Sequence, residues 1–153
     1  MLSIQGVSTS YGHIQALHGV DIEVRKGEIV TLIGANGAGK TTLLMTICGS
    51  PRASGGKILF EGSDISQRPT FEIVRLGIAQ APEGRRIFPR MTVLENLQMG
   101  AHVTDGAGIE QDLARCFSLF PILEKRRGQR GGESNQGIRD FAGLVGHPAA
   151  AAR

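Results

Sequence analysis

Gly34-Ala35-Asn36-Gly37-Ala38-Gly39-Lys40-Thr41 fits the spacing G-x-x-x-x-G-K-[ST], and few backbone arrangements can accommodate it. The run before it, Glu28 to Ile33, is rich in β-branched residues and reads as a buried strand. The run after it, Thr41 to Cys48, reads as the start of a helix. A strand, a glycine loop and a helix in that order make a phosphate cradle. The glycines let successive N–H groups turn inward, and the helix start adds partial positive charge. In such a loop Lys40 reaches the outer phosphates and the Thr41 hydroxyl binds Mg²⁺. The expected chemistry is nucleotide binding.

The bulk of the chain limits the other readings. Its 153 residues are enough for one domain with a real core, and no apolar run approaches the length of a membrane span. Met1 to Gln5 has no basic stretch followed by an apolar one, so no secretory signal is expected there. Cys48 and Cys116 lack metal or redox spacing and read as small buried apolar residues. The net charge of +3 comes largely from Arg85-Arg86 with Arg90 and Lys125-Arg126-Arg127 with Arg130. No aromatic residue interleaves with either cluster and no groove-reading motif accompanies them, so nucleic acid is not an expected partner.

Periodicity places the other elements. Leu2 to Val7 and Val20 to Val24 alternate as half-buried strands, with Arg25 to Glu28 turning tightly into the next run. Pro51 to Gly56 reads as a loop, Lys57 to Glu61 as a strand closed by Gly62-Ser63, and Thr70 to Leu76 as a helix. Gly77 to Ala81 reads as entering a strand that ends at Pro82. Thr92-Val93-Leu94-Glu95 has capping-box spacing and opens a helix to about Met99. Leu113, Cys116, Phe117 and Phe120 form one apolar stripe of a further helix that Pro121 ends; the stripe reads as packing.

Taken together, Tyr11-Gly12, the loop from Gly34 to Thr42, the run Pro82 to Pro89 and the run Met91 to Leu97 resemble an ATP-binding cassette (ABC) transporter ATPase. Ala81-Pro82-Glu83-Gly84-Arg85 with Glu95-Asn96-Leu97 looks most like an ATPase subunit of a bacterial branched-chain amino acid importer. The resemblance covers residues 1–132, with a helical arm from about residue 92. It implies an α/β fold, a P-loop NTPase with a mixed sheet around the loop helix, incomplete here, plus the start of a helical subdomain. It implies ATP and Mg²⁺ as cofactors, and membrane subunits and a second ATPase subunit as partners. The implied location is cytoplasmic, on the inner face of the membrane. Urea or amides are the alternative cargo.

The resemblance assigns Gly34, Asn36, Gly37, Ala38, Gly39, Lys40, Thr41 and Thr42 to the phosphate loop and Tyr11 to stacking on adenine. Glu83 falls where most of the family has a glutamine that senses Mg²⁺ and the γ-phosphate, so Thr41 and Glu83 are the implied metal residues. Counting back from Ile87-Phe88-Pro89 favours Glu83 over Gln80. On residue type alone, a lone loop tyrosine is more often packing or surface, and Glu83 reads equally well as a solvated carboxylate.

After Gly132 these motifs stop. The family's signature run, its metal-holding Asp, the Glu that activates water and its switch histidine have no match. Gly131-Gly132-Glu133 lacks a preceding Leu-Ser, and His147 has no strand before it. No catalytic residue is therefore assigned, and the expected alternatives to a working subunit are a non-hydrolysing nucleotide-binding module or a non-functional remnant. Residues 133–153 read as an aberrant tail. Ala149 to Arg153 can be encoded GCT GCT GCT GCT CGA, which one base later reads as four leucines and then an acidic residue. An out-of-frame tail therefore stands beside a naturally divergent one. The gene separates them: an out-of-frame tail requires a leucine-rich run, Asp and Glu in the shifted frame.

Overall fold

A computed structural model describes residues 1–81, 87–101 and 106–133, with the side chains of 106 and 107 excepted. The chain divides into two compact units, residues 1–80 and the remainder. No described helix is long and apolar enough to cross a membrane.

The first unit is built on four antiparallel strands in the order β2-β1-β3-β4. These are β1 (Leu2–Tyr11), β2 (Ile14–Val24), β3 (Gly55–Phe60) and β4 (Ser63–Asp64). Gly12, with φ 59° at the first central position, turns β1 into β2, as a two-residue hairpin loop requires. Glu61 and Gly62 both have positive φ (46° and 81°), the pattern of a type I′ turn between β3 and β4. The pairings Ile4↔Ile22 and Ile4↔Ile58 fix the register so that one face of the sheet is apolar.

That face packs on helices α1 (Lys40–Ile47) and α2 (Thr70–Arg75). Ile4, Val7, Leu17, Leu43, Ile47, Ile58, Ile65 and Ile73 form one buried cluster with Ala53. Each large aliphatic side chain so buried contributes about 1.5–3 kcal/mol of transfer free energy. One polar tie runs through this core. Thr46 Oγ1 donates to the Thr42 carbonyl (2.8 Å), so the buried Thr9 hydroxyl must be the donor in the 3.1 Å contact between Thr9 and Thr46. It pins β1 to α1.

Two expected strands do not form. Residues 28–33 have no ladder partner among the described residues, and Ile29 and Ile33 are 95% and 93% exposed. Only Leu32 packs against the core; Val30 and Ile33 lie bare, as an edge without neighbours would. Residues 78–81 likewise carry no strand, although Ile78 packs on the core. A strand is stabilised by its neighbours as much as by its own residues, and among the described residues the four strands pair with one another and not with 28–33. For the same reason the sheet is antiparallel rather than mixed.

The second unit contains α3 (Val93–Gly100), α4 (Gly106–Leu119) and α5 (Pro121–Lys125). Val93, Leu97 and Leu123 form its core, with Leu113, Phe117 and Phe120 packed against them, so the apolar stripe is packing as expected. Cys116 is buried, and Pro121 ends α4 by becoming the first residue of α5. The capping box is complete: the Glu95 N–H donates to Thr92 Oγ1 (3.2 Å) and the Thr92 N–H donates to Glu95 Oε2 (2.7 Å).

Hydrogen bonds from the backbone and hydroxyl of Thr92 hold the Glu95 carboxyl below its ordinary range. The box therefore contributes in full above the carboxylate range and loses its contribution as pH falls through it. Glu95→Gln should destabilise the chain most at neutral pH. The gap in melting temperature should close on titration below about pH 4.3, the ordinary value for a free glutamate.

Candidate nucleotide site

Gly37 and Gly39 adopt φ of 83° and 84°, and the Ala38 N–H donates to the Ala35 carbonyl (3.2 Å), which folds the loop into consecutive turns. Gly39 is the cap of α1, in the left-handed region, and no side chain caps the helix. There is also no acidic residue in its first turn. The first N–H groups of a helix have no intrahelical acceptor, so the positive end of α1 is left to an anion. Gly34, Asn36, Gly37, Ala38 and Thr41 are exposed, and Lys40 and Thr42 half-buried.

Lys40 extends back over the loop, where Nζ donates to the carbonyls of Gly34 and Ala35, both at 2.7 Å. The ammonium thus lies across the loop's opening residues, six positions before its own. Thr41 stands in the first turn and is exposed. The Thr42 carbonyl accepts from Thr46, so the first turn is held from below by the tie to β1.

The motif did not disclose what supports the loop. A Cβ on Gly39 would stand 2.9 Å from Leu17 Cδ2 and 3.1 Å from the Ala16 carbonyl, so β2 is pressed against the loop. Leu17 is distant in sequence, and the alternation of Val20, Ile22 and Val24 would point it outward; a register shift in β2 between Leu17 and Val20 turns it in. Tyr11 closes the β1–β2 hairpin and is 47% exposed. Its cross-strand partner Ile14 lies three residues before Leu17, a span of about 10 Å along a strand. The ring therefore belongs to the end of the sheet that abuts the loop. Glu83 lies outside the described residues, as do Arg85, Arg86 and His147.

The remaining chemistry is sparse. Among the described residues no group of three or more His, Cys, Asp or Glu side chains could hold a metal. Burial pushes the thiols of Cys48 and Cys116 up, which suits packing rather than nucleophilic chemistry. In the second unit Asn96 is buried and fully used. Its amide nitrogen donates to the carbonyls of Phe88 (3.1 Å), Met91 (3.3 Å) and Thr92 (2.8 Å), and its oxygen accepts from the Phe88 N–H (2.8 Å). Gly132 N–H donates to the Pro89 carbonyl and Gly131 N–H to that of Met91, so residues 88–92 are fixed from both sides.

Comparison with known proteins agrees with this geometry. The sequence profile of the ABC transporter family matches residues 17–145 and so continues beyond Gly132. The chain is 55% identical, over 94% of its length, to the high-affinity branched-chain amino acid transport ATP-binding protein BraG of Pseudomonas aeruginosa, of which it covers 62%. It is 37% identical to the high-affinity branched-chain amino acid transport ATP-binding protein LivG of Escherichia coli over 78% of the chain and 47% of that protein. It thus spans roughly half to three-fifths of the length of these relatives. Among solved structures, an ATP-binding subunit of an ABC transporter superposes with a TM-score of 0.81 at 28% identity, covering 96% of this chain and 61% of that one. A nucleotide-free ATP-binding cassette from an ABC transporter gives 0.78 at 26%, covering 95% and 65%.

The wedge between β2 and the loop has a measurable signature. Gly37→Ala meets no atom within 4 Å and should cost only its positive φ, about 1–2 kcal/mol. Gly39→Ala pays the same and also displaces Leu17, so it should melt lower than Gly37→Ala, by roughly 2–4 °C for each further kcal/mol. Equal melting points would mean that Leu17 does not brace the loop.

Proposed function

This chain belongs to the ABC transporter family, and we propose that it binds the triphosphate of ATP as the nucleotide-holding part of an importer subunit for branched-chain amino acids. The observation that carries the reading is the uncapped start of α1, wrapped by a loop with glycines in the left-handed region and spanned by the Lys40 ammonium. The 55% identity to BraG over nearly the whole chain supports the choice of cargo class. The subunit would work on the cytoplasmic side, with membrane subunits and a second ATPase subunit as partners.

The residues fit the ligand. The N–H groups of Gly37 to Thr42 would hold the β-phosphate at the helix start. Lys40 would place its charge on the outer phosphates, and Thr41 would offer its hydroxyl to Mg²⁺, with Glu83 a second oxygen ligand. Tyr11 would stack on the adenine ring. When bound, Mg²⁺ supplies neutralisation of the phosphate charge; the chain's own residues bind and orient.

Splitting the phosphate requires a positioned water and further charge on the departing group. None of the residues described carries such a role, so binding without turnover is the behaviour proposed for the isolated chain. The reading in which the chain only binds nucleotide rests on the same observation.

ATP with Mg²⁺ should raise the melting temperature of the chain, the stabilisation reaching about 2.7 kcal/mol at a hundredfold excess over the dissociation constant. Lys40→Ala should weaken binding by at least tenfold, the effect of losing a hydrogen bond to a charged group. A shift that is absent, or unchanged in Lys40→Ala, would overturn the proposal. Lys40-dependent phosphate release by the chain alone would overturn the absence of turnover.

A further inference from the structure

The pairing of β1 with β2 is irregular where β2 meets the phosphate loop. From Val7↔Val20 to Thr9↔Leu17, β1 advances two residues and β2 three; from there to Ser10↔Gln15, β1 advances one and β2 two. Each irregularity puts one extra residue into β2, as a β-bulge does. The first holds Gly19 at φ 68°, and the Gly19 N–H donates to Ser8 Oγ (3.1 Å). Had the register run on from Val7↔Val20, His18 would stand opposite Thr9 and Leu17 would point to the other face of the sheet. The second takes in Ala16, whose carbonyl lies 3.1 Å from where a Cβ on Gly39 would stand. Both bulges therefore serve the loop. One aims the Leu17 side chain at Gly39, and the other aims the Ala16 carbonyl there.

We propose that the bulged pair Thr9–Leu17 couples the phosphate loop to the hairpin tip, with Leu17 as the positioning residue for triphosphate binding; this rests on the nucleotide reading above. Thr9 and Leu17 are buried and stand directly opposite each other. Leu17 Cδ2 bears on Gly39, and Thr9 donates to Thr46, which donates to the Thr42 carbonyl in the first turn of α1. The two prongs hold residues 39–42 from the sheet side. An incoming phosphate meets N–H groups that are already ordered, so little loop freedom is lost on binding. The same ladder runs on through Ser10↔Gln15 to Tyr11↔Ile14 at the tip. A phosphate that tightens the loop therefore also tightens the hairpin that carries Tyr11, and a coupling of this kind is reciprocal.

The atom that bears on Gly39 is a δ-carbon, which valine lacks. By calorimetric titration, Leu17→Val should bind magnesium tripolyphosphate, a ligand with no base, about tenfold more weakly than the unmodified chain. Leu17→Met, which restores a δ atom, should bind within about twofold of it. Ile58→Val trims one carbon from the same core on β3 and serves as the control: it should lower the melting temperature and leave the affinity unchanged. In hydrogen exchange, tripolyphosphate should slow the amides of residues 9–17 in the unmodified chain and not, at equal saturation, in Leu17→Val. Without ligand, adding Leu17→Val to Gly39→Ala should raise the melting temperature, because it removes the atom that the new Cβ would meet at 2.9 Å. Four results would each overturn the inference alone, with the nucleotide reading intact. They are undiminished binding by Leu17→Val, an equal loss in Ile58→Val, hairpin amides indifferent to the ligand, and a double variant that melts below Gly39→Ala. An unmodified chain that binds neither ATP nor tripolyphosphate would overturn the nucleotide reading and this inference with it.

Discussion

The contact of Leu17 with Gly39 is the constraint on which the shape of the phosphate loop depends. Apart from Lys40, a loop that points its N–H groups at an anion has few side chains of its own with which to hold that shape. It must be held from outside. Here β2 supplies the support: Leu17 and the Ala16 carbonyl occupy the space a Cβ on Gly39 would need. Glycine is thus required twice over at one position, for its φ of 84° and for the absence of a side chain. From the other side, the chain of hydroxyls from Thr9 through Thr46 to the Thr42 carbonyl ties the first turn of α1 to β1. The hairpin β1–β2 thus grips the loop and its helix at two points, and the register of that hairpin positions the site.

What could be read from the sequence alone was what is local. The glycine loop, the helix after it, the hairpin strands and the Thr92–Glu95 box all follow from residues a few positions apart. In each the backbone geometry is set by φ preference or by a side chain reaching its own neighbours. The strand expected at 28–33 failed because strand formation is a property of pairs. Ile29 to Ile33 have strand composition, but nothing described lies beside them. Leu17 and Asn96 went unnoticed for the related reason that their roles depend on distant segments. A single asparagine after Glu95 carries no signal, yet it makes four hydrogen bonds once residues 88–92 fold back over it. Of the site residues, the phosphate loop and Tyr11 are placed at the same end of the sheet, while Glu83 falls outside the described residues.

The bare segment and the phosphate loop are continuous in the chain, and their demands differ. The loop needs a rigid base on which to hold its turns. Residues 28–33 supply one only through Leu32, because a strand without neighbours has no ladder to fix it. The support from β2 and α1, together with the Lys40 ammonium, is therefore what keeps the loop in shape.

The position of Lys40 shows how the loop can be shaped in advance and still open to a ligand. The ammonium laid across the carbonyls of Gly34 and Ala35 holds the opening residues of the loop together. Nζ carries three hydrogens, and the carbonyls of Gly34 and Ala35 engage two. The third remains for an anion, so phosphate need not break either contact to gain a charge-assisted bond. An arginine would not serve in the same way, because its donors are spread over a rigid plane rather than gathered on one rotating head. The lysine can thus act as a brace of the loop and as its charge at the same time, which is why removing it should cost affinity without dismantling the core beneath.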